Sequence, residues 1–570
     1  MFGEGDRVNL TRMGGLGVAV AASLATIATG LAPAVAQATA PGGSAPPAVT
    51  HYTGTPGVAR MMAGSAPAAA TPRVFPRGAR RLPSGHFSPT EGVPGASAPA
   101  SAAASAPASA AASVAASATA TTSSPLVNFN GVSSQDSQFT NYEQKFEPPD
   151  QGLCKGNGFV LEAVNSAYTI YSTTGNSLRG PFNINDLFNV GGKEFTSDPR
   201  CWFDPATQTW FATILFLNDS STASSLLIAV RHDPDPRGLW NEYSIDTTNL
   251  GGNGCPCFAD QPRLGIDQTN LYVTADEFSI LGPQFNGAEM FAIDKSDLVA
   301  GVTTPHFVHF ANLQIDGQLT LAPQPALSTG KPNAEYFLSS LDFTGTGDNR
   351  IGVWAMTNRD QVGAGGTPVL SSTVISSEAY AIPPPAPQKG ATSKLDSGDD
   401  RMQQTEFVGG TVWGELTTAV QPAGDSSVRA GGAWFQVKPK LGAAGISGAS
   451  IVRQGYIDSA GRYEQYPAVQ PDAAGNAAVV FTQTSTTRFP SAAYATLKAG
   501  GSNFGPPVVA ASGTGPYDPK ATRWGDYSFA VPDGTSDSAW FATEYIPPKS
   551  SQTTTGARNW GTRVFKVPLG

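Results

Sequence analysis

Acidic and basic residues recur in this chain beside short apolar runs: Asp198 with Arg200, Asp260 with Arg263, Asp400 with Arg401, and Arg523 with Asp526. Glu277, Glu415 and Glu544 stand at the ends of the apolar runs that follow three of these pairs. Residues two apart on a strand share a face, so Asp198 and Arg200 are expected to point the same way. Several guanidinium groups among carboxylates can clamp a carboxylate ligand through paired N–H donors. Paired carboxylates, with Tyr463, Tyr466, Tyr527 or Tyr545 nearby, suit glycoside chemistry. The same pairs also suit a plainer role, tying neighbouring strands together. A feature repeated at one phase points to architecture before catalysis, because active sites break symmetry.

Other chemical signals are sparse. His306 and His309 lie three apart in an expected strand, on opposite faces, which argues against a shared metal. There is no Gly-x-Ser-x-Gly elbow and no phosphate-binding loop. The run Asp396-Ser-Gly-Asp-Asp400 offers hard oxygen ligands, so Ca2+ is the one cofactor to consider, against an ordinary Asp-rich turn. No other cofactor is expected. The four cysteines, Cys154, Cys201, Cys255 and Cys257, are even in number, which in an exported chain implies two disulfides. Three pairings are open, of which Cys154–Cys201 with Cys255–Cys257 is preferred. A zinc site would need all four cysteines together.

The elements that must position these residues are short. Runs such as Phe159–Val164, Trp210–Leu215, Leu271–Thr274, Ala477–Thr482 and Ala539–Thr543 are rich in β-branched and aromatic residues and alternate with Gly, Pro, Asn and Asp clusters. None shows a sustained helical period, so the chain from 126 to 570 reads as all-β. Segments starting at Asp198, Asp260, Asp400, Tyr466 and Arg523 share one form: a start that is charged in all but the Tyr466 segment, a strand, a polar turn and a second aromatic strand. Adjacent starts fall roughly 55–70 residues apart, room for a four-stranded sheet each. Further units fit near Cys154–Phe159 and Leu321–Leu338. The expectation is a β-propeller, most simply of seven four-stranded blades, with tandem β-sandwiches as the competing architecture.

The first 125 residues differ. An apolar stretch from Leu16 to Leu31, followed by Ala34-Val-Ala and Ala36-Gln-Ala, reads as a signal peptide over 1–38. Residues 39–125 are rich in Ala, Pro and Ser and include a repeated octad at 97–104 and 105–112, so they read as a disordered linker. No later apolar run is long enough to span a bilayer, so the mature chain is expected to be secreted, extracellular or periplasmic, and monomeric. The first 125 residues carry seven Arg against Glu4, Asp6 and Glu91, which leaves −13 of the overall −9 on the β domain. Such an acidic domain is a poor match for nucleic acid.

The phrases Gly156-Asn-Gly-Phe-Val-Leu-Glu-Ala-Val-Asn165, Ser197-Asp-Pro-Arg-Cys-Trp-Phe-Asp204 and Arg523-Trp-Gly-Asp-Tyr527 resemble those of secreted bacterial β-propellers. So does Pro383-Pro-Pro-Ala-Pro-Gln388 with Leu395 and Asp400-Arg401. This group is broadly similar to the sialidase-like, BNR-repeat propellers, many without assigned activity. The resemblance covers most of 150–570. The group's Ser-x-Asp-x-Gly-x-x-Trp box is not intact; its nearest echo is Gln470-Pro-Asp-Ala-Ala-Gly475. The resemblance implies a propeller that binds an extracellular glycan or protein. A sialidase-like hydrolase using the axial Arg and acids is the alternative. An enzyme predicts an open axial pocket with unpaired Arg, whereas a structural ring predicts Arg paired with Asp.

Overall fold

The β-branched and aromatic runs, punctuated by turn residues, form antiparallel four-stranded meanders over 152–183, 195–246, 257–310, 324–380, 402–457 and 463–511. A last unit is made of Phe529–Pro532, Ser538–Tyr545 and Gly561–Pro568, and its outermost strand, Val127–Ser133, comes from the other end of the domain. The computed structural model describes residues 48–62 and 124–569, apart from 142–145, 193, 219, 252–253, 283, 322, 518–522 and 549–558. They belong to one compact unit, Pro47–Gly570.

The first strands of the units neighbour one another in order: Gly152–Gly156, Phe195–Asp204, Cys257–Ile266, Gln324–Ser328, Met402–Val408, Tyr463–Pro471 and Phe529–Pro532. The last returns to the first, closing a ring. Cys257–Ile266, Gln324–Ser328 and Met402–Val408 also pair in parallel, through Ile266 with Leu327 and Ala326 with Thr405. Radial packing covers both faces of each sheet, so Asn270–Ser279 and Ala477–Ser485 are buried at every position instead of alternating. Trp202, Phe211, Val230 and Tyr243 of one unit meet Leu264, Val273 and Phe291 of the next in a shared apolar layer. The preferred disulfide pairing is the one present. Cys154–Cys201 ties the first strands of two consecutive units, and Cys255–Cys257 lies at the start of the first strand of the third.

Part of the expected linker is ordered structure. Thr50–Tyr52, Thr55–Val58 and Arg60–Met61 add strands to the outer edges of three successive units, pairing with Val369–Tyr380, His306–Phe310 and Asn241–Asp246. Exposed edges are open templates for pairing, and this stretch has the residues to fill them. The Tyr52 ring packs 5.0 Å from that of Trp354, and its hydroxyl donates to the Gln314 carbonyl at 2.6 Å. Gly57 sits where a Cβ would lie 2.5 Å from the Phe307 ring. The expected signal peptide and the rest of the expected linker lie outside the described residues. Among the described residues no helix is long and apolar enough to cross a membrane.

Ring closure buries one acid with a consequence for pH. Glu162, fully buried, accepts from the Val132 N–H at 2.8 Å, so a carboxyl of the first unit holds the closing strand. A Cβ on Gly131 would lie 2.3 Å from the same carboxyl, so glycine there permits the approach. Burial pushes the Glu162 carboxyl from 4.5 up to about 7. The folded state therefore keeps a proton that the unfolded chain has lost. Its contribution is fully present below pH 4.5 and falls as pH rises toward 7, by up to about 1.4 kcal/mol per pH unit. Glu162→Gln is expected to flatten this part of the stability–pH curve, as read by denaturant midpoints between pH 4.5 and 7.5.

Candidate functional site

The charged starts of the first strands meet at the ring axis because those strands are kinked there. Asp198, Gln261 and Tyr466 have φ of +61°, +50° and +52°, and each adjoins or lies within a register bulge of its strand. A bulge bends the strand and re-aims its side chains. The kinked N–H groups are taken up by other units: Asp198 donates to Asn165 Oδ1 at 2.7 Å and Tyr466 to Thr417 Oγ1 at 3.1 Å.

Two layers of charge result. In the inner one, Asp276 accepts from Arg263 Nη2 at 3.0 Å and Arg401 Nη1 at 3.2 Å; all three side chains are nearly or fully buried. Arg401 also grips Asp399 through both oxygens, at 2.6 to 3.0 Å. Burial alone would raise the Asp399 carboxyl, but the adjacent guanidinium overcomes it and holds the group below its usual range. Gln261 accepts from Arg263 at 2.9 Å and also from Arg401. Gln404 crosses the axis, donating to the Ala530 carbonyl at 2.8 Å and accepting from its N–H at 3.0 Å. Polar side chains thus link different units at this level.

The outer layer holds Asp150, Asp198, Asp526, Asp396, Arg200 and Arg523. Asp150 accepts from the Asp526 N–H at 2.9 Å and from Asn165 at 2.7 Å. Burial and then the charges of Asp526 and Asp198 push its carboxyl well above the ordinary range. Asp198 accepts from the Tyr527 hydroxyl, while the Arg200 guanidinium lies over the same ring, 3.4 Å from its centroid. Among the described residues Arg200 makes no ion pair; its neighbours are the Tyr527 and Phe529 rings and the Gln151 carbonyl at 3.4 Å. Arg523 binds both oxygens of Asp526 and lies 3.8 Å from Asp396. Oxygens of Asp150, Asp198 and Asp526 come within 4.8 Å of one another, close enough to share a hard cation. Each already accepts a hydrogen bond.

The expected site residues therefore divide. Asp198, Arg200, Asp260, Arg263, Arg401, Arg523 and Asp526 gather at the axis. Asp260 is buried there, and burial with the Asp198 charge raises its carboxyl. Glu544 lies alongside, its carboxylate against Gly525, where a Cβ would meet Oε1 at 2.2 Å. Asp400 does not join them. It turns outward to Asp342, and burial with that like charge pushes its carboxyl up. The run 396–400 does not act as one turn of ligands: Asp396 faces Arg523, Asp399 faces Arg401, and Asp400 faces Asp342. Glu415 accepts the Gln404 N–H at 3.0 Å, and Glu277 sits beside Glu289 within its own unit. Sequence reasoning missed Asp150, Asp276, Gln261 and Gln404. The acid pair Asp276-Glu277 inside an otherwise apolar strand was the available signal, since buried charges are paired.

No family model and no curated protein matches the chain. Among solved structures it is a distant match to β-propeller proteins. The Drosophila Plexin A–Semaphorin 1b complex matches at 10% identity and TM-score 0.34, covering 78% of this chain and 87% of that one. Penicillium chrysogenum α-L-arabinanase with arabinobiose matches at 11% identity and TM-score 0.34, covering 78% and 99%. The native Bacillus subtilis arabinanase matches at 12% identity and TM-score 0.27, covering 61% and 94%.

Proposed function

We propose that this chain is an exported seven-bladed β-propeller that binds an extracellular ligand, a glycan or a protein, at the rim of its axis. The seven four-stranded units are the blades, residues 1–38 the signal peptide, and the unpaired part of 39–125 a spacer. The observation that carries the reading is the partial exposure of one subset of the axial charges. Arg263, Arg401 and Asp276 are sealed and satisfied by one another, whereas the side chains of Asp396, Arg523 and Asp526 are 38%, 22% and 13% exposed. A sialidase-like hydrolase would clamp a substrate carboxylate with open guanidinium groups; Arg263 and Arg401 are engaged with carboxylates, and Arg200, which makes no ion pair among the described residues, is buried against the Tyr527 ring.

A glycan array, probed with the parent chain and with Arg523→Ala, tests this. Binding is expected to weaken about tenfold in the variant, once circular dichroism has shown it to be folded, as for a central arginine anchor. Hydrolysis of chromogenic glycosides by the parent chain, abolished in a folded Arg263→Ala variant, would instead establish the enzyme.

A further inference from the structure

Away from the axis, the Cys255–Cys257 disulfide lies over buried acids that the binding reading does not use. Cys255 is half-buried and follows the exposed Gly254, while Cys257 is fully buried. The Asn286 side-chain amide donates to Cys257 Sγ at 3.2 Å. An oxygen of Glu277, 1% exposed, lies within 4.8 Å of both sulfurs, and neither of its oxygens has a hydrogen-bond partner of normal geometry. Gly251 sits over the group; a Cβ there would meet Glu289 Oε1 at 2.6 Å and Cys255 Sγ at 3.5 Å.

From this geometry we infer that Cys255–Cys257 is a redox-active disulfide that exchanges with a dithiol, with Glu277 as the proton donor to Cys257. One half-buried cysteine and one fully buried cysteine make an asymmetric pair, in which Cys255 is the side that a thiolate can approach. The thiolate of the dithiol attacks Cys255 Sγ and forms a mixed disulfide. The Cys255–Cys257 bond breaks, and its electron pair leaves on Cys257 Sγ, which already accepts the Asn286 hydrogen bond. The Glu277 carboxyl protonates that sulfur, directly after a side-chain rotation or through one water. The second thiol of the dithiol then gives up its proton, attacks the partner sulfur of the mixed disulfide and releases Cys255 as a thiolate, which takes up a proton. The protein ends as the dithiol, the partner as its cyclic disulfide, and Glu277 recovers its proton from solvent. Each step reverses when the partner is the oxidant.

Glu277 can serve because its surroundings favour the protonated carboxyl. Burial raises its carboxyl, and the charges of Glu289, Asp276 and Asp260 raise it further. His309, on the strand beyond, lies 3.2 Å from Glu289 and stacks on Phe291, so it faces Glu289 and not the sulfurs. The short closed loop, two residues in sequence separation, also gives this cross-link the least chain-entropy stabilisation against opening. Cys154 and Cys201 are both fully buried and their bond spans 47 residues.

The test follows reduction of the full chain by dithiothreitol and by reduced thioredoxin, with alkylation and mass mapping, from pH 5 to 9. Cys255–Cys257 is expected to open first, leaving Cys154–Cys201 intact. Reaction with dithiothreitol alone assigns a small dithiol as partner; reaction with thioredoxin as well assigns a dithiol protein. Glu277→Gln is expected to slow opening at pH 7 by roughly tenfold or more and to change the pH profile. If that variant does not fold, Asn286→Ala is expected to slow the same step. Simultaneous or prior reduction of Cys154–Cys201 would overturn the inference. So would a parent-like rate and pH profile in Glu277→Gln or, where that variant is unfolded, a parent-like rate in Asn286→Ala.

Discussion

Asp276→Ala is expected to be the most damaging single substitution at the axis, lowering stability by about 3–5 kcal/mol. The carboxylate is fully buried and is shared by two guanidinium groups, Arg263 at 3.0 Å and Arg401 at 3.2 Å. Its removal leaves two cations facing each other with no water to solvate them, and an unpaired buried charge costs far more than the pair itself contributes. Arg401 retains Asp399, so the larger share of the loss falls on Arg263. The damage is expected to spread, because Gln261 accepts from both arginines and reaches Asp526 at 3.5 Å. Arg237→Ala is the contrast. Its paired bonds to Asp235 are at 2.6 to 3.1 Å, yet the partners are about two-fifths exposed and screened by water. No measurable change in the denaturation midpoint is expected there. Equal midpoints for the two variants would show that the inner charge layer does not hold the ring.

These contrasts bear on what sequence alone discloses. The strands were legible because β-branched and aromatic runs sit between turn residues, and the units because Asp–Arg starts recur. The arginines at 200, 263, 401 and 523 were legible as axial for the same reason. Their partners were not, because pairing across the ring joins residues far apart in sequence: Arg401 with Asp276, Tyr527 with Asp198, Asp526 with Asp150. Asp400 was misplaced because the chain is irregular there. Neighbouring Asp399 and Asp400 take opposite directions, and only Asp399 meets Arg401. The edge strands at 50–61 were missed because the surrounding composition masks them. Thr50-His-Tyr-Thr53 is nevertheless an island of strand-forming residues in an Ala- and Pro-rich tract, and it anchors through one aromatic pair and glycine contacts.

The closing strand is where the two ends of the domain depend on each other most. A chain beginning at residue 134 is expected to lose cooperative unfolding altogether, whereas one beginning at 124 keeps it. Val127–Ser133 supplies the outermost strand beside Gly561–Pro568, in register from Lys566 with Val127 to Gly561 with Ser133. Without it, the N–H and C=O groups of one edge of Gly561–Pro568 lose their partners. The cost also reaches the neighbouring unit. Glu162 loses the Val132 N–H, Thr562 loses the Val132 carbonyl to which its hydroxyl donates at 3.0 Å, and the Tyr545 hydroxyl loses Asn130. Phe129, which packs 5.0 Å from the Tyr171 ring, leaves the seam between first and last units open to water. Across that seam the inner strands, Phe529–Pro532 and Gly152–Gly156, still meet, but an opening there frees the outer faces of both adjoining sheets. Thermal melts followed by near-ultraviolet circular dichroism, with limited proteolysis of the two truncations, distinguish the outcomes. A sharp, parent-like transition in the shorter chain would mean that the ring is held by its inner strands alone.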